Sequence, residues 1–369
     1  MSNQRIAVIG AGILGARITR ELLGPRAFGR PQEVAITTVS RRPERLSVLR
    51  NSFGTEVKML SDQNGQAQLD ADVTTVIVAR AAGEQFVVAH EQLLAGRDVV
   101  TTSDDPVEVQ ELLELGPLAE SLGRTLVVGA AFAPGLSCLL ASHASGLLDR
   151  VDEIHVARHG AAGPGCAAQR LRALRGTATD WRDGAWVKRP GFSGRELCWF
   201  PDPIGARDCY RAALADPMLL VPAFAGVQRV TARLAATRRD RALAPFPVWL
   251  PAPAEGGIGA VRVELRGERD GQREWVVYAV LDRPAVAAAA TAAVTGLWVA
   301  TRTAAPGATG LAGLGATQEL LGELALRGVR AAVFEGSEGS EGSAGQENQQ
   351  ESDAEAQVLA KKVDTSHQE

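Results

Sequence analysis

Residues 5–15, Arg-Ile-Ala-Val-Ile-Gly-Ala-Gly-Ile-Leu-Gly, give a short apolar run followed by Gly10-x-Gly12-x-x-Gly15. The next residues, Ala16–Leu23, have helical spacing. This order predicts a buried parallel strand, a glycine turn and a helix. In a dinucleotide fold the first glycine makes the tight turn and the second lets the backbone approach a pyrophosphate. The third lets helix and strand pack closely. The phosphates rest on the helix N-terminus, where unpaired N–H groups and the helix dipole favour an anion. Gly10, Gly12, Ile13, Leu14 and Gly15 are therefore the expected dinucleotide loop.

The second strand narrows the cofactor. Glu33–Val39 is β-branched and almost uncharged, as a strand buried on both faces should be. An NAD site places Asp or Glu near the end of such a strand, accepting from the ribose 2′-hydroxyl. Here Ser40-Arg41-Arg42-Pro43 stands in that place. A carboxylate would repel a 2′-phosphate, whereas two guanidiniums beside a hydroxyl attract it. NADP(H) is the expected cofactor, with a solvated basic turn as the competing reading.

Further on, strands and helical stretches alternate. The pattern predicts a helix over Pro43–Asn51 and strands at Glu56–Leu60 and Thr74–Ala79. A helix at Gly83–Ala95, a strand at Asp98–Thr102, a helix at Val107–Leu122 and a strand at Thr125–Gly129 follow. Such alternation implies right-handed crossovers and an α/β, doubly wound parallel sheet of Rossmann type. Ligands bind at the carboxyl ends of its strands. Ala79, Arg80, Thr102 and Ser103 therefore join Ser40, Arg41 and Arg42 as expected cofactor contacts.

Beyond this sheet, Leu136–Leu148 reads as a helix and Val151–His159 as a strand. Residues 160–205, rich in Gly, Pro, Trp and Arg, read as a large irregular connection. Val261-x-Val263-x-Leu265 and Trp275-x-Val277-x-Ala279-x-Leu281 alternate across Asp270-Gly271, a hairpin signal. A second α/β domain with an open, mainly antiparallel sheet is expected. The resulting division is 1–134 for the NADP-binding Rossmann domain and 135–302 for a substrate and dimerisation domain. Residues 303–334, with a helix at Ala316–Leu326, form a segment returning to the Rossmann domain. Residues 335–369, with Gly-Ser-Glu repeats and too little apolar surface to fold alone, are an expected disordered acidic tail.

The formal net charge of −4 favours neither nucleic-acid nor membrane affinity. The four cysteines have no C-x-x-C spacing, so neither a disulfide frame nor a metal site is expected. There is no basic-then-apolar leader, and Ala285–Val299 is read as a buried Ala-rich helix too short to span a bilayer. A cytoplasmic location is the expectation.

The glycine motif, Thr102-Ser103-Asp104-Asp105 after a late strand, and Gly129-Ala-Ala-Phe-Ala-Pro-Gly-Leu136 before a helix resemble the saccharopine dehydrogenase/reductase-like oxidoreductases. Pro306-Gly307, a Leu-rich helix and Arg327-Gly-Val near the end are also similar. The resemblance implies an NADP-binding Rossmann domain, a following α/β domain and a homodimer through its sheet. It also implies reduction of imines formed between an amine and a keto or aldehyde acid, or the reverse. Relatives of the saccharopine type carry Asp immediately before the Pro-Gly pair, where this chain has Ala133. The class of chemistry carries over; saccharopine as the substrate does not. Short-chain dehydrogenases need Tyr-x-x-x-Lys, whereas Leu214 and Asp282 stand four residues after Tyr210 and Tyr278.

A nicotinamide supplies the hard chemistry, so the protein must place the reacting carbon, bind carboxylates and pass a proton. His159, at a strand end before Gly160-Ala-Ala-Gly-Pro-Gly165, is the first proton-transfer candidate. A structural histidine is the competing reading. Asp104 and Asp105 are candidates to orient an amine or imine nitrogen, although Ser-Asp-Asp-Pro is equally good turn and helix-cap chemistry. Phe132, Pro134 and Gly135, with Arg182 and Arg189 from the Trp/Arg-rich stretch, form the expected substrate-binding set. The latter two would clamp a carboxylate, or else coat a subunit interface. The function expected is an NADP(H)-dependent oxidoreductase for a small amino- or imino-acid. A non-catalytic NADP(H)-binding redox sensor is the alternative.

Overall fold

The computed structural model describes residues 4–24, 26–31, 34–62, 68–161, 163–238, 240 and 256–337. The first sheet contains β1 (Gln4–Ile9), β4 (Val34–Ser40), β5 (Val57–Ser61), β6 (Thr75–Val78), β7 (Asp98–Thr101), β8 (Thr125–Val128) and β17 (Gly307–Gly310). A two-stranded ribbon of β2 (Arg26–Ala27) and β3 (Arg30–Pro31) stands apart. The seven strands run in the order β17-β8-β7-β6-β1-β4-β5, and every pairing is parallel. Ile6, Ala7 and Val8 pair with Ile36, Thr37 and Thr38 on one side and Thr75, Val76 and Ile77 on the other. Burial on both faces is why these strands are continuous apolar or β-branched runs without alternation.

Helices α1 (Ile13–Leu22), α2 (Pro43–Phe53), α3 (Gln85–Leu94), α4 (Pro106–Glu114) and α5 (Gly116–Ser121) fill the crossovers. The single helix expected over Val107–Leu122 is two, because Pro117 lacks the N–H needed to continue the first. The expected Rossmann-type parallel sheet and second sheet are both present.

The second sheet is mixed. It runs β11 (Ala185–Pro190), β10 (Thr177–Arg182), β14 (Arg229–Ala235), β9 (Arg150–His159), β15 (Gly259–Arg269), β16 (Gln272–Asp282) and β18 (Ala331–Ser337). The hairpin β12 (Glu196–Phe200)–β13 (Gly205–Arg211) joins it at β14. Only β14 and β9 pair in parallel; the others are antiparallel. The expected β15–β16 hairpin turns at Asp270 and Gly271, both at positive φ, as a two-residue turn demands.

Two alternating sets of side chains leave β9. Ile154 and Val156 face the large core, beside α6 (Leu136–Ser145), while Ala157 packs with Cys198, Phe200 and Cys209 on the opposite face.

Residues 160–205 are not the irregular connection the composition suggests. They form α7 (Pro164–Arg175) and two hairpins. The first turns at Asp183-Gly184, both at positive φ, a two-residue signal hidden by the surrounding Trp and Arg.

The return to the first sheet also begins earlier than residue 303. The helix Pro284–Thr301 packs against α1, β1, β6 and β7. At 18 residues it is long and apolar enough to cross a bilayer, contrary to the sequence reading, but its surface is buried inside the protein. After β17 and the helix Thr317–Leu326, β18 pairs with β16, so the C-terminal segment belongs to both sheets. β18 runs on through Ser337; the rest of the expected tail lies outside the described residues.

Candidate functional site

The neighbours of β1 are β4 and β6, so the chain reverses direction across the sheet at β1 and opens a crevice at its carboxyl end. Gly10 occupies that end at φ +128°, its N–H donating to Val39 O at 2.9 Å. A Cβ there would strike Ala79 O, and one on Gly15 would strike Gly10 O. The fold itself requires both glycines. Gly12 differs: its φ is −77°, and the one neighbour of an added Cβ is Arg45 Nη1, at 3.4 Å. The N–H groups from Ile13 to Gly15 precede the first intrahelical bond, Ala16 N to Gly12 O, and no side chain caps them. Gly12 leaves room over these donors, which suits a dinucleotide pyrophosphate.

At the end of β4, Ser40 is buried and accepts from Arg42 N at 3.1 Å, turning the chain outward. Arg41 and Arg42 are exposed, and Arg41 pairs with Glu84. Arg45, one turn into α2, completes a cationic rim and was missed in the sequence because it lies beyond the strand end. Arg80 is committed elsewhere: its guanidinium pairs with Asp62 at 3.0 Å, both side chains largely buried. Ala79 stands against Gly10.

Thr102 and Ser103 are buried and bonded within the fold. Thr102 N donates to Gln85 Oε1 at 2.9 Å and its hydroxyl to Val78 O at 3.0 Å. Ser103 Oγ donates to Glu108 Oε2, whose other oxygen accepts from Gln85 N and Phe86 N. Glu108 thus caps α3 from the neighbouring helix.

The other end of the crevice is assembled from three strand ends. Asp104 follows β7, the buried Phe132–Gly135 loop follows β8, and Arg158 stands one residue before the end of β9. Ala131 N donates to Pro134 O and Leu136 N to Ala131 O, folding the loop on itself. Arg158 Nη1 donates both to Ala133 O and to Asp104 Oδ2, the latter at 3.3 Å. Its Nε and Nη2, and Asp104 Oδ1, have no hydrogen bond among the described residues. One guanidinium edge and one carboxylate oxygen therefore remain to bind something else.

Beside this pair lies Asp216, fully buried at the start of α8 (Asp216–Leu220), its Oδ1 accepting from Ser137 Oγ at 2.6 Å. Its Oδ2 has no partner among the described residues. Burial pushes its carboxyl above the ordinary value, with Arg158 opposing. Asp105 caps α4 through Val107 N and Glu108 N, and its other oxygen accepts from Gln169 Nε2 of α7 at 2.9 Å. It is a structural tie between the two parts of the molecule.

His159 is not brought to this cluster. Strand alternation turns it away from the face of Arg158, toward Phe200, with ring centroids 6.2 Å apart. Burial first, then Arg170 and Arg207, hold its imidazole below the ordinary value. Its Nδ1 is unpartnered among the described residues. Arg182 pairs in register with Arg229, and Arg229 with Glu153, placing it near the start of β9 rather than its end. It lies beside Asp183 on the surface. Arg189 is exposed on the edge strand β11, three strands from β9. No group of three or more His, Cys, Asp or Glu able to hold a metal occurs among the described residues.

Together these features define a Rossmann-type α/β protein with a mixed-sheet second domain. More specifically, its fold is saccharopine dehydrogenase-like. It aligns with apo saccharopine dehydrogenase (L-Glu forming) from Saccharomyces cerevisiae at TM-score 0.65 and 14% identity, over 90% of this chain and 100% of that one. GenD2 from gentamicin A biosynthesis, solved with NAD, aligns at TM-score 0.47 and 15% identity, over 90% and 97% of the two chains. An engineered D-amino acid dehydrogenase bound to NADP+ gives TM-score 0.47 and 16% identity, over 88% and 99%. No family model matches the sequence, and no curated protein matches it either.

Proposed function

We propose that this chain is an NADP(H)-dependent oxidoreductase acting at the C–N carbon of a small amino- or imino-acid. The observation that carries this reading is the half-used Arg158–Asp104 pair, one crevice away from the glycine loop. A guanidinium edge and a carboxylate oxygen side by side complement a zwitterion: Arg158 takes the α-carboxylate and Asp104 Oδ1 the amine. The fold shared with saccharopine dehydrogenase supports the same class.

The residues present fit a bound NADP(H). Gly12 and the first N–H groups of α1 would hold the pyrophosphate, and Arg41, Arg42 and Arg45 the 2′-phosphate. Its nicotinamide would supply the hydride donor or acceptor. Ala133 O fixes the Arg158 guanidinium, so a carboxylate meets an oriented fork. Asp104 Oδ1 holds the nitrogen and takes the proton that leaves as amine becomes imine.

The test is turnover. Purified protein is given NADP+ with a panel of L- and D-amino acids, and NADPH with keto acid and amine pairs, while reduced nicotinamide absorbance is followed. The reading expects at least one pair to react and Arg158→Gln to lower kcat/KM about 100-fold. Inactivity across both directions, or full activity of the variant, would contradict it.

A further inference from the structure

Glu84 is the N-cap residue of α3, yet its side chain makes no capping bond. Glu108 caps that helix instead, through Gln85 N and Phe86 N. The Glu84 carboxylate is thereby free to pair with Arg41 Nη2. Arg41 follows β4 and Glu84 follows β6, the two strands flanking β1. At the usual strand spacing these lie about 10 Å apart, so the ion pair spans the mouth of the crevice over the glycine loop. Arg42 and Arg45 have no ion pair among the described residues, so Arg41 alone of the rim is neutralised from across the crevice.

We propose that Glu84 sets nucleotide selectivity as an internal competitor: it occupies Arg41, and a ribose 2′-phosphate must displace it. This rests on the NADP(H) reading above. A 2′-phosphate offers Arg41 a doubly charged, bidentate acceptor in place of one carboxylate. A nucleotide with a 2′-hydroxyl has nothing to exchange and leaves the strap closed. Both side chains are partly exposed, so the competition is modest and screened by salt.

The probes are adenosine 2′,5′-bisphosphate and AMP, which differ by the 2′-phosphate alone, titrated by calorimetry into the full chain at low salt. The expected result is a wild-type preference for the bisphosphate that rises about two- to fivefold in Glu84→Gln. That gain should vanish in the Arg41→Ala background, because it acts through Arg41. An unchanged preference in Glu84→Gln would overturn the proposal while leaving the NADP(H) reading intact. So would an equal gain with Arg41 absent, which would make Glu84 a bulk charge. A wild type with no preference for the 2′-phosphate would remove the NADP(H) reading and this inference with it.

Discussion

The glycine motif at one end of the crevice is contiguous in the chain, whereas the Asp104–Arg158 pair at the other joins positions 54 residues apart. The first is held by backbone: Gly10 and Gly15 exist because the strand, the helix and Ala79 leave no room for a Cβ. The second is held by side chains, with one guanidinium nitrogen shared between a carbonyl and a carboxylate. A backbone site tolerates almost no substitution but demands little of the rest of the molecule. A side-chain site tolerates change in its fold and loses its chemistry at once. The two ends should therefore fail differently.

The largest effect belongs to the backbone end. Gly15→Val should cost about 3 kcal/mol or more, since the added carbon overlaps a carbonyl that cannot move without the strand. Chemical denaturation measures it; wild-type stability would show that the close approach is unnecessary. Arg158→Gln should lower stability less than Gly15→Val while removing the catalytic advantage, and a larger fall in stability with activity retained would reverse the contrast.

Asp216 makes the side-chain end sensitive to pH. Its folded carboxyl lies above the ordinary 3.8, so the folded chain holds that proton more tightly than the unfolded one. Its contribution is then favourable at low pH and is lost as pH rises above 3.8. Asp216→Asn keeps an oxygen for Ser137 and cannot ionise. Its melting temperature should exceed the wild type's by a few degrees in neutral buffer, the gap closing in acid. A gap independent of pH would place the effect in packing. His159 acts with the opposite sign. Its folded pKa lies below 6.5, so stability is lost as pH falls below 6.5 and the unfolded chain takes the proton first. His159→Gln should flatten that acid limb slightly; an unaltered limb would mean the imidazole is solvated.

The same difference explains what could be read from the sequence. Most of the first sheet was legible because β1, β4, β6, β7 and β8 are local apolar or β-branched runs; β17, Gly-Ala-Thr-Gly at 307–310, carries no such run and went unread. The β15–β16 hairpin was legible because Asp270-Gly271 sits between clean alternations. The Asp183-Gly184 turn carried an equal signal and went unread, because its second strand is exposed and its first buries Ala178 and the charged Asp180 rather than an apolar alternation. At the site, Asp104 could be found from its place after a strand. Arg158 could not, because β9 offers Arg158 and His159 side by side and only the packing of α6 under one face decides which points inward. Period-two alternation would have separated the pair once Ile154 and Val156 were known to be in the core.

Gly12 separates nucleotide binding from folding, because the fold does not need it. Its φ of −77° suits any residue, and only a flexible arginine tip lies near an added Cβ. NADPH is titrated into wild type and Gly12→Val, with a melting curve for each. Binding by the wild type, weakened tenfold or more in the variant at unchanged melting temperature, is the predicted result. Equal NADPH affinity in the two proteins, or none in the wild type, would contradict a dinucleotide site at this loop.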